Sequence, residues 1–182
     1  MVLHENGTGS GDPAAWGTGL KRRIFFVLGA MGHAFAVANG VRLGLSGSGS
    51  ISGSSSAVYC LDGDGSFLMH IGNNAVLADV GPKGLVHIVV HNGVHSSTGD
   101  QPLSLTLQAY TGLAAGMPYG HKFFVNDAQA LDRAMGLAAD LTADGTVSVL
   151  IFVLVRPGQS STLPRPSETA GELKNIFMQG MQ

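Results

Sequence analysis

Asp64 and Asn92 are the residues of this sequence best suited to chemistry, because each follows an apolar segment typical of a buried strand. Asp64 lies in Leu61–Ser66, which reads LDGDGS, and Asn92 lies in His91–Val94, which reads HNGV. The 28 positions between them match two neighbouring parallel strands joined by one crossover helix, whose carboxyl ends lie side by side. A carboxylate and an amide oxygen brought together there can bind a hard divalent cation, and the adjacent glycines let a diphosphate approach the backbone.

Strand-like and helix-like segments alternate along the chain. The predicted strands are Ile24–Leu28, Ala57–Leu61, Leu85–Val90, Lys122–Val125 and Ser148–Val155. The predicted helices between them are His33–Leu45, Ser66–Asp79, Leu105–Ala115 and Asp127–Asp140. Continuous apolar strands suit a sheet that is covered on both faces. The sequence therefore predicts an α/β fold, a doubly wound and mainly parallel sheet flanked by helices, whose ligands bind beyond the carboxyl ends of the strands.

The two ends of the chain carry different signals. Residues 1–20 are rich in Gly, Thr and Pro, which predicts a flexible N-terminal tail, and residues 21–182 are expected to form a single domain. Near the C-terminus, Ser167–Met178 predicts a further helix with one apolar face. That face, which we expect to contact a partner chain, carries Leu173, Ile176 and Phe177.

Composition narrows the class of protein. Charged residues make up 12% of the chain and hydrophobic residues 45%, so we expect another subunit to cover part of the surface. A net charge of −2 and the lack of an extended basic run argue against nucleic-acid binding. The longest apolar run, Val149–Val155, is too short to span a membrane. With a single cysteine, Cys60, and no signal-peptide pattern, the sequence predicts a cytoplasmic protein.

The sequence does not match several common motifs of nucleotide-binding and zinc-binding sites. A dinucleotide fingerprint that begins at Gly63 requires glycine at position 68, where Leu68 stands, and no triphosphate-binding loop of the GxxxxGK[ST] type is present. His87, His91 and His95 recur every four residues, but a strand followed by a turn does not bring their rings together as zinc ligands. We expect His87 to be a packed or hydrogen-bonded strand residue and His95 to point into the loops beyond the sheet.

The LDGDGS and HNGV segments together resemble the signature of thiamine-diphosphate-dependent enzymes, a GDG followed about 28 residues later by asparagine. The resemblance implies that Mg²⁺ is bound by the side chains of Asp64 and Asn92 and by the main-chain carbonyl of Val94. It also implies that thiamine diphosphate lies against Gly63 and Gly65. Ser66, at the start of a helix, would offer its hydroxyl and amide to the diphosphate.

A third segment, Gly29–Ala34, strengthens this resemblance. In related enzymes the turn after the first strand contacts the aminopyrimidine half of the cofactor, which implies contacts from Gly29 and Gly32 and an apolar wedge from Met31. Gly29–Ala34 and His91–Gln101 resemble segments of the phosphonopyruvate decarboxylases and, more loosely, of the sulfopyruvate decarboxylases.

Residues around the implied active site bear on the substrate. The departures from the family pattern are His91, Ser96 and Asp100, so the resemblance leaves the substrate open between these two related 2-oxo acids. His33 and His95 are candidates for positioning the substrate or for shuttling protons near neutral pH. The alternative is that each imidazole only hydrogen-bonds a loop carbonyl.

The family also uses a catalytic glutamate, which it keeps on a separate pyrimidine-binding domain. The three glutamates of this sequence are Glu5, Glu168 and Glu172, and we expect all of them in terminal tails, away from any strand end. The resemblance therefore implies a partner subunit that carries the pyrimidine-binding domain and supplies the glutamate, in a hetero-tetramer. The predicted function is one subunit of a phosphonopyruvate decarboxylase; the alternatives are a sulfopyruvate decarboxylase beta subunit and a catalytically silent cofactor-binding subunit.

Overall fold

The computed structural model describes residues 2–5, 23–47, 57–80, 83–158 and 168–180. The strands are β1 Val2–Glu5, β2 Ile24–Val27, β3 Val58–Gly63, β4 Leu85–His91, β5 Val94–His95, β6 Gln101–Pro102, β7 His121–Val125 and β8 Val149–Leu154. The helices are α1 Ala34–Gly47, α2 Asp64–Met69, α3 Gly72–Val80, α4 Leu107–Gly116, α5 Ala128–Thr142 and α6 Ala170–Gln179.

Within the described residues, six strands form one sheet in the order β2-β1-β3-β4-β8-β7, and every pair of neighbours is parallel. The register pairs Gly63 with Val90 and His91 with Leu154, so β3, β4 and β8 end at one edge of the sheet. A short antiparallel ribbon of β5 and β6 follows β4 at that edge. The doubly wound, mainly parallel α/β fold predicted from the sequence is confirmed.

The strand β8 shows why this sheet is covered on both faces. Leu150 and Phe152 pack in one apolar cluster with residues of α1 and α4, whereas Val149, Ile151 and Val153 pack in another with residues of α5. Successive side chains of a strand point to opposite faces, so an uninterrupted apolar strand needs helices on both sides. The alternation of strands with helices places those helices.

Two expectations about the strands and helices need correction. Val2–Glu5, expected in a flexible tail, is a strand that lies between β2 and β3; four residues are too short to show a strand periodicity in the sequence. Residues 6–22 lie outside the described residues. The single helix expected over Ser66–Asp79 is two helices, because α2 ends at His70 with φ −128° and ψ 43°. The chain turns there and restarts as α3, with Asn73 N–H bonded to the His70 carbonyl at 2.9 Å.

The apolar face of the C-terminal helix was also assigned wrongly to a partner. In α6, Leu173 and Phe177 are buried, and Leu173 clusters with Ile24 and Phe26 of β2. The Phe177 ring meets that of Phe25 edge to face, with centroids 5.2 Å apart. The helix has the predicted apolar face, but this face packs on β2, at the edge of the chain's own sheet.

Asp127 is the N-cap of α5, since its carboxylate accepts the Ala130 N–H at 2.7 Å. Cys60 is a fully buried residue of β3, as its position in an apolar strand predicts. In the part of the chain that the structure describes, no helix is long and apolar enough to cross a membrane.

Candidate active site at the carboxyl edge of the sheet

Asp64 joins the two turns that the sequence singled out. It is the first residue of α2, directly after Gly63 ends β3 in an extended conformation, and its side chain is buried. Its Oδ1 accepts the Gly65 N–H at 2.8 Å, and its Oδ2 accepts the Gly93 N–H at 2.8 Å. The structure therefore brings the GDG turn and the HNGV turn into direct contact, as the spacing of the motifs predicts.

Asn92 is held by its own turn. Its Oδ1 accepts the Val94 N–H at 3.0 Å, and its Nδ2 donates to Ser96 Oγ at 3.1 Å. Gly93 between them has a φ of +78°, a conformation that favours glycine. These bonds identify which atom of the amide is the oxygen. Because the Gly93 N–H also bonds to Asp64, the Asp64 carboxylate and the Asn92 amide oxygen lie on two turns that are in contact.

These residues fit a magnesium ion in the chemistry of their donors. Asp64 and Asn92 offer side-chain oxygens and Val94 offers a carbonyl, and Mg²⁺ is typically held by one or two carboxylates together with the phosphates of a ligand. A Cβ placed on Gly29, Gly63 or Gly93 would meet no atom within 4 Å. The backbone at these three strand ends therefore borders open space, which suits the close approach of a diphosphate.

The turn after β2 contacts the turn after β3. Gly32, with φ +86°, donates its buried N–H to Ser66 Oγ at 3.0 Å. A Cβ on Gly65 would lie 3.3 Å from Met31 Cε. The two turns therefore pack together through Met31, Gly32, Gly65 and Ser66. Ser66 is 2% exposed, and the sequence did not predict its bond to Gly32.

The two candidate histidines occupy different positions. A Cβ on Gly65 would lie 2.5 Å from His95 Cε1 and 2.6 Å from His95 Nδ1, so the His95 ring lies directly over the GDG turn. His33 is exposed, and its Nδ1 lies 3.3 Å from the Met31 carbonyl oxygen. Because a carbonyl only accepts, this bond requires the proton on His33 Nδ1 and leaves Nε2 available.

His91 and Tyr110 are neighbours of Asp64 that sequence reasoning missed. His91 Nδ1 lies 2.9 Å from Asp64 Oδ2, but Nδ1 has no partner with hydrogen-bond geometry, so the contact is attractive chiefly when the ring carries a positive charge. The buried Tyr110 hydroxyl donates to the Asp64 carbonyl at 3.3 Å. Burial, and then the charge of Asp64, raise the pKa of Tyr110 to about 12.

The signals for these two residues differ. His91 stands directly before Asn92 and differs from the family pattern. The sequence therefore showed that this position is unusual, but it did not predict the contact with Asp64. Tyr110 lies in α4, and nothing in its sequence surroundings links it to Asp64.

A buried polar chain lies beneath the site. His87 Nδ1 is 2.6 Å from the Tyr119 hydroxyl, which donates to Asn74 Oδ1 at 2.5 Å, and His87 Nε2 is 3.4 Å from Asp62 Oδ2. All four side chains are buried. His87 is the hydrogen-bonded strand residue that the sequence predicts, and it ties β3 and β4 to α3 below the GDG turn.

The glutamates are not all where we expected them. Glu172 caps α6, accepting from the Thr169 backbone N–H at 2.7 Å. Glu5, however, is the last residue of β1 and pairs in register with Val27. Its backbone therefore stands at the carboxyl edge of the sheet, which corrects the expectation that no glutamate lies at a strand end.

The curated relatives are decarboxylases. The chain is 35% identical over 153 residues to the phosphonopyruvate decarboxylase of Streptomyces viridochromogenes, a match that covers 84% of this chain and 35% of that protein. It is 26% identical over 162 residues to the sulfopyruvate decarboxylase subunit beta of Methanococcus maripaludis, covering 89% of this chain and 80% of that subunit. The chain thus spans about a third of the first relative's length but most of the second's.

Solved structures show the same fold. An enzyme from Mycobacterium smegmatis, described as thiamin diphosphate-dependent, superposes with a TM-score of 0.56 at 19% identity, over 86% of this chain and 28% of that chain. The 2-oxoglutarate:ferredoxin oxidoreductase from Magnetococcus marinus gives a TM-score of 0.54 at 14% identity, over 90% of this chain and 55% of that chain.

The family match extends over most of the sequence. Residues 9–148 match the family described as thiamine pyrophosphate enzyme, C-terminal TPP binding domain, which uses the other common name of thiamine diphosphate. With its GDG and HNGV turns in contact at the carboxyl edge of a parallel sheet, this chain belongs to the thiamine pyrophosphate enzymes, as a C-terminal, cofactor-binding domain.

Proposed function

We propose that this chain is the diphosphate- and Mg²⁺-binding half of a thiamine-diphosphate-dependent decarboxylase that converts phosphonopyruvate to phosphonoacetaldehyde and CO₂. The observation that carries the proposal is the bond from the Gly93 N–H to Asp64 Oδ2 at 2.8 Å. It places a carboxylate, an amide oxygen and two glycine-rich turns at one edge of the sheet, where ligands of such folds bind. The 35% identity to phosphonopyruvate decarboxylases supports the choice of substrate.

Each residue of the site has a stated role in this proposal. Asp64, Asn92 and the Val94 carbonyl would hold Mg²⁺, and Gly63, whose backbone borders open space, would face the diphosphate, with Gly65 next to it beneath the His95 ring. When bound, thiamine diphosphate supplies the electron sink that lets the carboxylate leave as CO₂.

The residues above the GDG turn would act on the rest of the cofactor and on the substrate. Met31, packed near Gly65, would be an apolar wedge that orients the cofactor from the turn after β2, beside Gly29 and Gly32. His33 and His95 would bind the substrate or move protons at its reacting end.

A partner chain would supply the catalytic glutamate. The match to a beta subunit over 80% of that subunit's length supports a two-chain enzyme of this kind, with a hetero-tetramer as its simplest assembly. Glu5 at the end of β1 offers an internal competitor. Glu5→Gln in the assembled enzyme should therefore leave decarboxylation within about twofold, whereas a loss of a hundredfold or more would assign the acid to this chain.

Cofactor binding is tested by calorimetry with thiamine diphosphate and Mg²⁺ on the full chain. Asp64→Ala should abolish Mg²⁺-dependent binding, because the buried carboxylate is the one charged oxygen of the proposed donor set. Asp132→Ala, an exposed position in the middle of α5, is the matched control and should bind as the parent does. Equal binding by both variants would overturn the proposal.

Substrate is tested with the chain and its partner reconstituted together. The pair should decarboxylate phosphonopyruvate, and either chain alone should not. Sulfopyruvate decarboxylation is the second candidate, favoured by the length match to the beta subunit, and turnover of sulfopyruvate alone would establish it instead. If Asp64→Ala leaves the activity of the assembled pair unchanged, the chain is a silent cofactor-binding subunit.

A further inference from the structure

His70 forms a pair with His33 at the border of the proposed site. His70 directly follows α2, and the centroids of the two imidazole rings are 4.2 Å apart with a 56° angle between their planes. Both residues are exposed. A Cβ on Gly32 would collide with His70 Cδ2, so the glycine at this turn makes room for the second imidazole.

The positions of the described lysines and arginines differ from those of His33 and His70. Among the lysines and arginines that the structure describes, Arg23 and Lys83 precede strands β2 and β4, and Arg42 bonds to the Lys83 carbonyl. Of these described cations, Arg156 alone lies within two residues after the end of a strand of the main sheet, β8. The turn after β2 and the end of α2 therefore carry imidazoles rather than lysine or arginine.

The hydrogen bond of His33 shows which of its atoms can bind a ligand. With Nδ1–H donating to the Met31 carbonyl, Nε2 is the atom left for an outside partner, and protonation makes it a donor. His70, in ring contact with it, adds a second imidazole that can become positively charged. Two adjacent imidazolium rings repel each other unless an anion of matching charge lies beside them.

We propose that His33 and His70 together bind the charged headgroup of the substrate and select a phosphonate dianion over a sulfonate monoanion. This inference rests on the proposed function, because it names the part of the substrate that this edge of the same site would recognise. A dianion compensates both imidazolium charges with charge-assisted hydrogen bonds. A monoanion compensates only one imidazolium, so its complex has one charge-compensated contact fewer and is weaker.

The test is a titration of the full chain with methylphosphonate and with methanesulfonate, followed by the NMR signals of the histidine Cε1–H groups. Saturable shifts of the His33 and His70 signals are expected with methylphosphonate at pH 7.5, with at least about tenfold weaker binding of methanesulfonate. His70→Gln and His33→Gln should each weaken methylphosphonate binding about tenfold, the size of one lost charge-assisted hydrogen bond.

The matched control is His121→Gln, since His121 is exposed at the first residue of β7, the opposite end of the sheet. It should bind methylphosphonate as the parent does. Equal affinity for the two anions, or unchanged affinity in His70→Gln, would overturn the proposal.

Calorimetry with thiamine diphosphate and Mg²⁺ separates this inference from the proposed function. His70→Gln should keep cofactor binding while it loses methylphosphonate binding. If the parent chain binds the cofactor but shows no selectivity between the anions, the headgroup site fails and the cofactor site stands. If the parent does not bind the cofactor, the proposed function fails whatever the anions do.

Discussion

The Gly93 N–H donates to Asp64 Oδ2 over 2.8 Å, so the turn after β4 is bonded to the residue that begins α2. Gly93 can aim its amide in this direction because its φ is +78°, a region that L side chains rarely adopt. The same carboxylate receives the Gly65 N–H through its other oxygen. Asp64 thus organises both turns before any ligand is bound.

Gly93→Ala tests this organisation through the backbone alone. A Cβ at this position would meet no atom within 4 Å, so the expected cost is the conformational strain, about 1–2 kcal/mol of unfolding free energy. We also expect weaker binding of thiamine diphosphate with Mg²⁺, measured by calorimetry. Gly136→Ala, inside α5 with equally open space, should instead be neutral or slightly stabilising. A Gly93→Ala chain as stable as the parent would contradict the strain argument.

Gly65→Ala should move one ring rather than unfold the chain. The added methyl group would lie 2.5 Å from His95 Cε1, and a side-chain ring at the end of a turn can rotate away. We expect a change in the Cε1–H signal of His95 and a loss of cofactor affinity, with a melting temperature close to that of the parent. Gly112→Ala in α4, where a Cβ meets nothing, is the control and should change neither. An unmoved His95 signal would contradict the packing of this ring on Gly65.

Much of this site follows from sequence because motifs and strand ends coincide. Asp64 and Asn92 lie at the ends of apolar strands, and parallel strands with one crossover between them must end at the same edge. Such reasoning places residues by their position along a strand. It cannot find Tyr110, which reaches the Asp64 carbonyl from the middle of a helix 46 positions away.

The errors have an equally specific cause. The four residues of β1 carry no periodicity long enough to recognise, so the strand and its last residue, Glu5, were assigned to a tail. Without that strand, β2 and β3 would be taken as neighbours, whereas β1 separates them in the sheet. The buried face of α6 was visible as a pattern, but only the fold shows that β2 lies beneath it.

Tyr119→Phe should destabilise the chain by about 1–3 kcal/mol, because it leaves His87 Nδ1 and Asn74 Oδ1 buried without their shared partner. Chemical denaturation at pH 7 measures this change. Tyr59→Phe, at a partly buried position in β3, is the control and should stay within about 0.5 kcal/mol of the parent.

The same phenol predicts how stability depends on alkaline pH. Burial raises the pKa of Tyr119 well above its usual value of 10.0, and nearby Cys60 and Asp62 raise it further. A raised pKa contributes stability that is fully present below pH 10 and is lost as the pH rises above it, because the unfolded chain ionises first. The parent should therefore lose more stability than Tyr119→Phe between pH 10 and 11. Parallel losses in the two chains would show that the Tyr119 phenol ionises as readily in the folded state.

The capping box of α6 makes the C-terminal helix sensitive to acid. Glu172 accepts from the Thr169 backbone N–H at 2.7 Å and from the Thr169 hydroxyl at 2.8 Å, and these bonds lower the pKa of Glu172 below its usual 4.5. A lowered pKa contributes stability that is present above pH 4.5 and is lost as the pH falls through the folded-state value. We therefore expect α6 to fray, and Leu173 and Phe177 to leave β2, as the pH falls below about 4.5.

Hydrogen exchange of the α6 amides between pH 3 and 6, corrected for the intrinsic exchange rate, measures this loss. In Glu172→Gln the protection of these amides should no longer change across that range, since the uncharged amide does not titrate. Glu168→Gln is the control with an expected shift of the opposite kind: the charge of Glu168 raises the pKa of Glu172, so its removal should move the acid transition to lower pH. A transition that persists unchanged in Glu172→Gln would assign the acid sensitivity to another carboxylate.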